Sequence, residues 1–104
     1  MSKQVYFVPD GTITTVTGFQ AGAAFAGIKT YAEDKLDLGL LYSTNACTCA
    51  AVFTTNQITS ASVKLNRERV QNGGVRAVVV NSGIANTLVG EHGMKDARKM
   101  GDLA

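Results

Sequence analysis

The sequence is poor in several things on which functional classes depend. It has no tryptophan, one proline, one histidine and two cysteines in 104 residues. The lone histidine lies far from the cysteines, so the paired ligand spacing of a structural zinc site is absent and no metal is expected. Two thiols do not make the disulfide framework of a small secreted domain; free thiols and a cytoplasmic location are expected. No apolar run approaches the length that crosses a bilayer. The start, MSKQVYFVPDG, lacks the apolar stretch and small-residue cleavage site of a secretory signal. There is no excess of one charge either. Ten Lys and Arg stand against eight Asp and Glu, interleaved in 64–69 and 91–99. That excludes a basic nucleic-acid footprint and a polybasic membrane patch.

What is present suits one small domain, with 45% hydrophobic residues. Residues 1–104 read as a single domain or as the N-terminal part of a larger α+β domain. The stretch 75–86, VRAVVVNSGIAN, organises the rest. Val78, Val79 and Val80 are β-branched in a short apolar run and read as a buried strand. The run stops at Asn81-Ser82-Gly83, which is turn chemistry, and Asn86 follows. Small polar groups at the mouth of a rigid strand are either a tight connection or a site.

Taken in order, Gln4–Val8 alternates like a short strand, Pro9-Asp10-Gly11 signals a turn, and Thr12–Val16 reads as the return strand of a hairpin. The segment 18–27, GFQAGAAFAG, is small enough to run within a sheet or against a second layer. It is not a phosphate loop, because no GK[ST] ends it. Lys29 reads as an exposed strand-end lysine. Residues 31–35 form a loop, Leu36–Tyr42 a strand with Leu36, Leu38 and Leu40 on one face, and 43–45 a turn. Ala46–Phe53 is strand-like and ends at Thr54-Thr55-Asn56. Ser60–Leu65 reads as another strand. Asn66 is the expected N-cap of a short helix to Asn72, stopped by Gly73-Gly74. Residues 87–93 read as a loop and Met94–Ala104 as a helix with Met94, Ala97, Gly101 and Ala104 on one face. This order favours an α+β layered domain over a doubly wound one. The apolar face of the last helix reads as belonging to a longer protein.

The chemistry candidates are few. Cys47 and Cys49 would share a face of a strand, as buried structural thiols, as a thiol metal or redox site, or as a nucleophile if His92 came near. Asp34 and Asp37 are not placed as an acid/base pair by spacing. Ser82 has no visible base and no G-x-S-x-G elbow. If Thr54-Thr55-Asn56 and Asn81-Ser82-Gly83 open on the same side, their hydroxyls and amides could line a pocket for a small polar substrate.

Several of these stretches together resemble the ornithine acetyltransferases, also called glutamate N-acetyltransferases, of the cyclic arginine pathway. The resemblance is carried by Gly18-Phe19, Ala26-Gly27-Ile28-Lys29, Asp37-Leu38, Ser43, Ala51-Val52-Phe53-Thr54-Thr55-Asn56, Arg76 to Gly83, Ala85-Asn86, Gly90, Gly93 and Asp96-Ala97. It covers nearly the whole chain from Gly18 onward. Ile84 departs from it, standing where the family usually has an asparagine. The resemblance implies a layered αββα-type sandwich and a self-cleaving precursor. In that mechanism a freed threonine takes acetyl from N-acetylornithine and passes it to glutamate, with its own amine as base and a Thr-Gly pair at the oxyanion. Both lie downstream of the matched residues, so no catalytic residue is expected in this chain. Acetyl-CoA is a second candidate donor; no other cofactor is implied. The implied partners are the remainder of the first chain and the second chain of the cleaved precursor, in an oligomer of two-chain units such as a heterotetramer. Asn81, Ser82, Gly83 and Asn86 are the candidates for shaping the site, followed by Thr54, Thr55 and Asn56. The alternative is a non-catalytic small α/β module that binds a metabolite or assembles with a partner.

Overall fold

The computed structural model describes residues 3–28, 31–32 and 34–104. Its elements are, in order, β1 (Phe19–Ala24), β2 (Leu38–Ser43), α1 (Ala61–Val70), β3 (Ala77–Asn81) and α2 (Gly90–Leu103). The strands form one antiparallel sheet in the order β1-β2-β3, with β2 central. Leu40 lies between Gly22 of β1 and Val79 of β3, and Leu38 between Ala24 and Asn81. Because side chains alternate across a sheet, Leu38, Leu40, Val79 and Asn81 share one face. Met100 and Leu103 of α2 border an open slot with Leu38, Leu40 and Val79 on that face. Leu41, Val78 and Val80 point the other way, and Val78 and Val80 are 52% and 61% exposed.

Both ends of β2 are pinned. At its start Asp37 is buried, and its carboxylate accepts from the Ala26 amide at Oδ1 and the Ile28 amide at Oδ2, both at 2.7 Å. Its backbone N–H donates to Ala24 O at 3.1 Å, and its carbonyl accepts from Ser82 N at 2.8 Å. One residue thus fastens the exit of β1, the entry of β2 and the exit of β3. At the far end Ser43 N donates to Arg76 O at 2.8 Å. Arg76 answers with its guanidinium, donating to Ser43 O at 3.1 Å, Thr44 O at 2.8 Å and the Tyr42 hydroxyl at 2.9 Å. It also lies 5.3 Å from the centre of the Tyr42 ring.

The helices pack on each other through small residues. Gly93 and Ala97 of α2 are buried, and Leu65 is the buried side chain of α1. A Cβ at Gly101 would run into the Arg69 guanidinium. Two ion pairs link the helices, Arg69 to Asp102 and Arg98 to Glu68, each at 2.8 Å. Both are solvent-exposed and contribute little individually.

Several sequence expectations are corrected. Residues 60–65 are not a strand. Ser60 is the N-cap, its Oγ accepting from Val63 N at 3.2 Å, so the cap lies six residues before the expected one and Asn66 lies mid-helix. The alternation of Val63 and Leu65 misled; Ala61, Leu65 and Arg69, four apart, form the helical face. Gly73, at φ +69°, follows the end of α1 as expected. The N-terminal hairpin does not form. The turn does, with Gly11 N donating to Val8 O at 3.1 Å, but the flanking residues pair with nothing in a strand. Alternation makes a strand only where one face is buried, and Val5, Phe7 and Ile13 are 81%, 93% and 62% exposed. Residues 46–53 are likewise no strand, with Val52 almost wholly exposed. The small segment 18–27 supplies an edge strand, and the expectation for Lys29 lies outside the described residues. β2 begins at Leu38, so Leu36 is outside it. The final helix starts four residues earlier than expected, at Gly90.

Two predictions follow from these contacts. Asp37→Ala strands the Ala26 and Ile28 amides and removes the side-chain tie from β2 to the segment after β1, leaving the backbone bonds to Ala24 and Ser82 in place. Charge-assisted bonds of this kind contribute about 1.5–3 kcal/mol each before non-additivity, so a loss of roughly 3 kcal/mol is expected in urea unfolding. A loss below about 1 kcal/mol would show that the clamp is dispensable. The second concerns pH. Hydrogen bonding to Arg98, and then its charge, lower Glu68 below the ordinary value of 4.5. A carboxylate lowered in the folded state stabilises it above the unfolded value and loses that contribution as pH falls through the folded value. Glu68→Gln therefore narrows the gap to the parent protein as pH drops below 4.5, read by thermal melts across that range. A gap that stays constant would mean the pair contributes nothing to the pH dependence.

Candidate functional site

The end of β3 opens into a groove of about 520 Å³ between the sheet and α2. Leu38 and Asn81 form its sheet wall, Ile84 to Asn86 its rim, and His92, Asp96 and Met100 its helix wall. These last three are four residues apart on one line of α2, which is why they face the same space. Ser62 of α1 and Ile28 complete it. The groove is mostly apolar with a few polar groups, Ser62, Asn81, Asn86, His92 and Asp96, the general form of a small-molecule site.

The loop that rims it is built by its own side chains. Asn81 Nδ2 donates to Gly83 O at 3.0 Å, closing the turn, while Ser82 is exposed and its backbone is held by Asp37. Asn86 Nδ2 donates to Gly93 O at 2.7 Å, tying the loop to the first turns of α2. Its Oδ1 is buried with no hydrogen-bond partner. This contact demands glycine at 93, because a Cβ there would collide with Asn86 Oδ1 and Val89 Cγ2. Asn86 also reaches α1 through its backbone, accepting from Ala61 N at 3.2 Å. Ile84 has φ +43°, a left-handed conformation in which a β-branched residue is strained.

The structure brings Asn81 and Asn86 to one groove and sets Ser82 and Gly83 outside its lining. Thr54, Thr55 and Asn56 do not line it. They are anchored elsewhere: Arg67 donates to Thr54 O and lies 5.5 Å from the centre of the Phe53 ring, and Asn56 N donates to Thr54 Oγ1 at 3.2 Å. Cys47 and Cys49 are both free and partly buried, and the Cys47 thiol faces Val75 O at 3.1 Å. Among the described residues no group of three or more His, Cys, Asp or Glu could hold a metal ion. Sequence reasoning missed Asp96 and Ser62 as groove residues and weighed His92 only as a partner for a thiol. The four-residue spacing of His92, Asp96 and Met100 was the available signal.

A family model, that of the ArgJ family, matches residues 20–104. The chain belongs to the ArgJ family. It is 46% identical over 100 residues to the arginine biosynthesis bifunctional protein ArgJ of Dehalococcoides mccartyi, covering 96% of this chain and 25% of that protein. To the mitochondrial ArgJ protein of Arthroderma otae it is 41% identical over 106 residues, covering 99% of this chain and 22% of the relative. The chain thus spans about a quarter of the length of these curated ArgJ relatives. The fold matches the crystal structure of ArgJ from Bacillus halodurans with a TM-score of 0.82 at 34% identity, covering 89% of this chain and 48% of that one. It also matches ornithine acetyltransferase from Mycobacterium tuberculosis, solved with ornithine, with a TM-score of 0.75 at 38% identity over 84% of this chain and 45% of that one. The three-stranded sheet and two helices are therefore part of the ArgJ architecture.

Ile84 yields a test within this ArgJ segment. It is 78% exposed, so little packing is lost on replacement, and asparagine tolerates the left-handed conformation. Ile84→Asn is expected to raise stability by about 1 kcal/mol, read as a higher urea midpoint with unchanged slope. An unchanged or lower midpoint would mean the strain is relieved in another way.

Proposed function

We propose that this chain is the N-terminal part of a bifunctional glutamate N-acetyltransferase/ornithine acetyltransferase, contributing scaffold and one wall of the substrate site. In this reading a second sheet stacks on the first to give an αββα sandwich. Acetyl passes from N-acetylornithine to a threonine and then to glutamate, with the threonine outside this chain. The remainder of the first chain and the second chain complete the enzyme, and units of this kind assemble into a heterotetramer in the cytoplasm or, as the name of the Arthroderma otae relative says of that protein, in mitochondria. Acetyl-CoA is the alternative donor.

The observation that carries the reading is the groove at the mouth of β3, rimmed by the Asn81–Asn86 loop, in a segment that belongs to the ArgJ family. The described residues support a supporting role rather than a catalytic one. Cys47 is bonded to a backbone carbonyl, and Ser82 lies outside the lining that holds His92.

Two measurements test this together. The purified 104-residue chain is expected to transfer no acetyl from N-acetylornithine to glutamate, and sustained turnover by it would overturn the assignment of the nucleophile to another chain. In a full-length ArgJ protein carrying this segment, Asn81→Ala is expected to lower kcat/KM roughly tenfold, the equivalent of one hydrogen bond lost near the site. Unchanged kinetics at unchanged stability would reduce the loop to architecture. One observation favours the assembly-module reading: the sheet face opposite the helices is bare.

A further inference from the structure

The groove between the sheet and α2 has both of its walls in this chain, and its charge is of one sign. Asp96 is the only carboxylate in the lining, and no lysine or arginine joins it there. Among the described residues no ion pair engages Asp96; the pairs that link the helices use Glu68 and Asp102. On the sheet wall Asn81 spends its Nδ2 on Gly83 O, which leaves its Oδ1, an acceptor, for a ligand. Asn86 offers neither end of its amide, since Gly93 O holds the Nδ2 and the Oδ1 is shut away from solvent. The rest of the lining is largely aliphatic, with Ile28, Leu38, Val89 and Met100.

Such a lining selects one ligand chemistry. A carboxylate and an amide oxygen accept hydrogen bonds and donate none, so they match a group that only donates. A primary ammonium is that group, with three N–H donors and a positive charge for Asp96. A ligand carboxylate in the same place would meet a like charge. The aliphatic walls suit a short methylene stem behind the ammonium, as apolar surface suits the stem of a lysine.

We propose that Asp96 determines specificity by receiving the terminal ammonium of an aliphatic amine in this groove, with Asn81 Oδ1 as the acceptor on the facing wall. The inference rests on the acetyl-transfer reading. Under it the ammonium is the side-chain end of N-acetylornithine, while glutamate, whose side chain ends in a carboxylate, gains nothing from Asp96.

The test uses a full-length ArgJ protein carrying this segment. Acetyl transfer to glutamate is measured from N-acetylornithine and from N-acetylnorvaline, which lacks the ammonium. The parent is expected to prefer N-acetylornithine in kcat/KM. Asp96→Asn is expected to raise the KM for N-acetylornithine about tenfold, the scale of one charge-assisted hydrogen bond, with no rise for N-acetylnorvaline or glutamate. Asp96→Ser, a second neutral replacement at this exposed position, is expected to do the same, and Asp96→Glu, which keeps the charge, to retain most of the preference. A parent indifferent to the ammonium, or neutral variants that raise all three KM values alike, would overturn the proposal. A full-length protein that transfers no acetyl would overturn the acetyl-transfer reading and this inference with it. An active protein whose preference survives both neutral replacements would overturn this inference alone.

Discussion

A carboxylate can be kept away from water in a small domain only if its oxygens find donors, and Asp37 finds them in the amides of Ala26 and Ile28. The arrangement does more than satisfy a charge. The same residue bonds to Ala24 and Ser82 through its backbone, so three strand ends converge on one position. The loop after β3 therefore starts from a fixed point. Everything that follows, the turn closed by Asn81, the tie from Asn86 to Gly93 and the groove beneath them, takes its position from that anchor.

The sheet and the helix pair are stabilised by different means. The sheet relies on its ladders and on the pins at the two ends of β2. The helices rely on close approach through Gly93, Ala97 and Gly101, with exposed ion pairs at the margin. Asn86, in the loop after β3, ties that loop to the helix pair, reaching α2 through its side chain and α1 through its backbone. That gives its fixed amide a structural reason independent of any ligand.

What the residues disclosed depended on whether their signals were local. The run Val78–Val80 and the stop at Asn81-Ser82-Gly83 placed β3, because β-branching and turn chemistry act within a few residues, but the strand is not buried as expected, with Val78 and Val80 exposed. Alternation at 4–8 misled because alternation describes a capacity for burial, and here the residues stay exposed; the small apolar run 46–53 is half-buried at Cys47, Cys49 and Phe53 but pairs with no strand. Ser60 was hidden by the apolar alternation after it, although its hydroxyl decides where α1 begins. Asp37 was legible as a residue and illegible as a clamp, since its partners come together only in the folded sheet. The groove was half legible: its loop could be read from turn residues, while its helix wall depended on how α2 is rotated.

The contacts of Asp37 also bear on how the domain is made. Its side chain needs amides from before it in the chain, and its carbonyl needs Ser82 from well after it. Closing those long loops costs chain entropy before any of the bonds exist to offset it. The β1–β2 hairpin can gather early, whereas β3 must arrive across the whole of α1. The pairing of β3 with β2 therefore carries the larger loop-closure cost of the two ladders, and the bond from Ser82 to Asp37 exists only once that loop is closed.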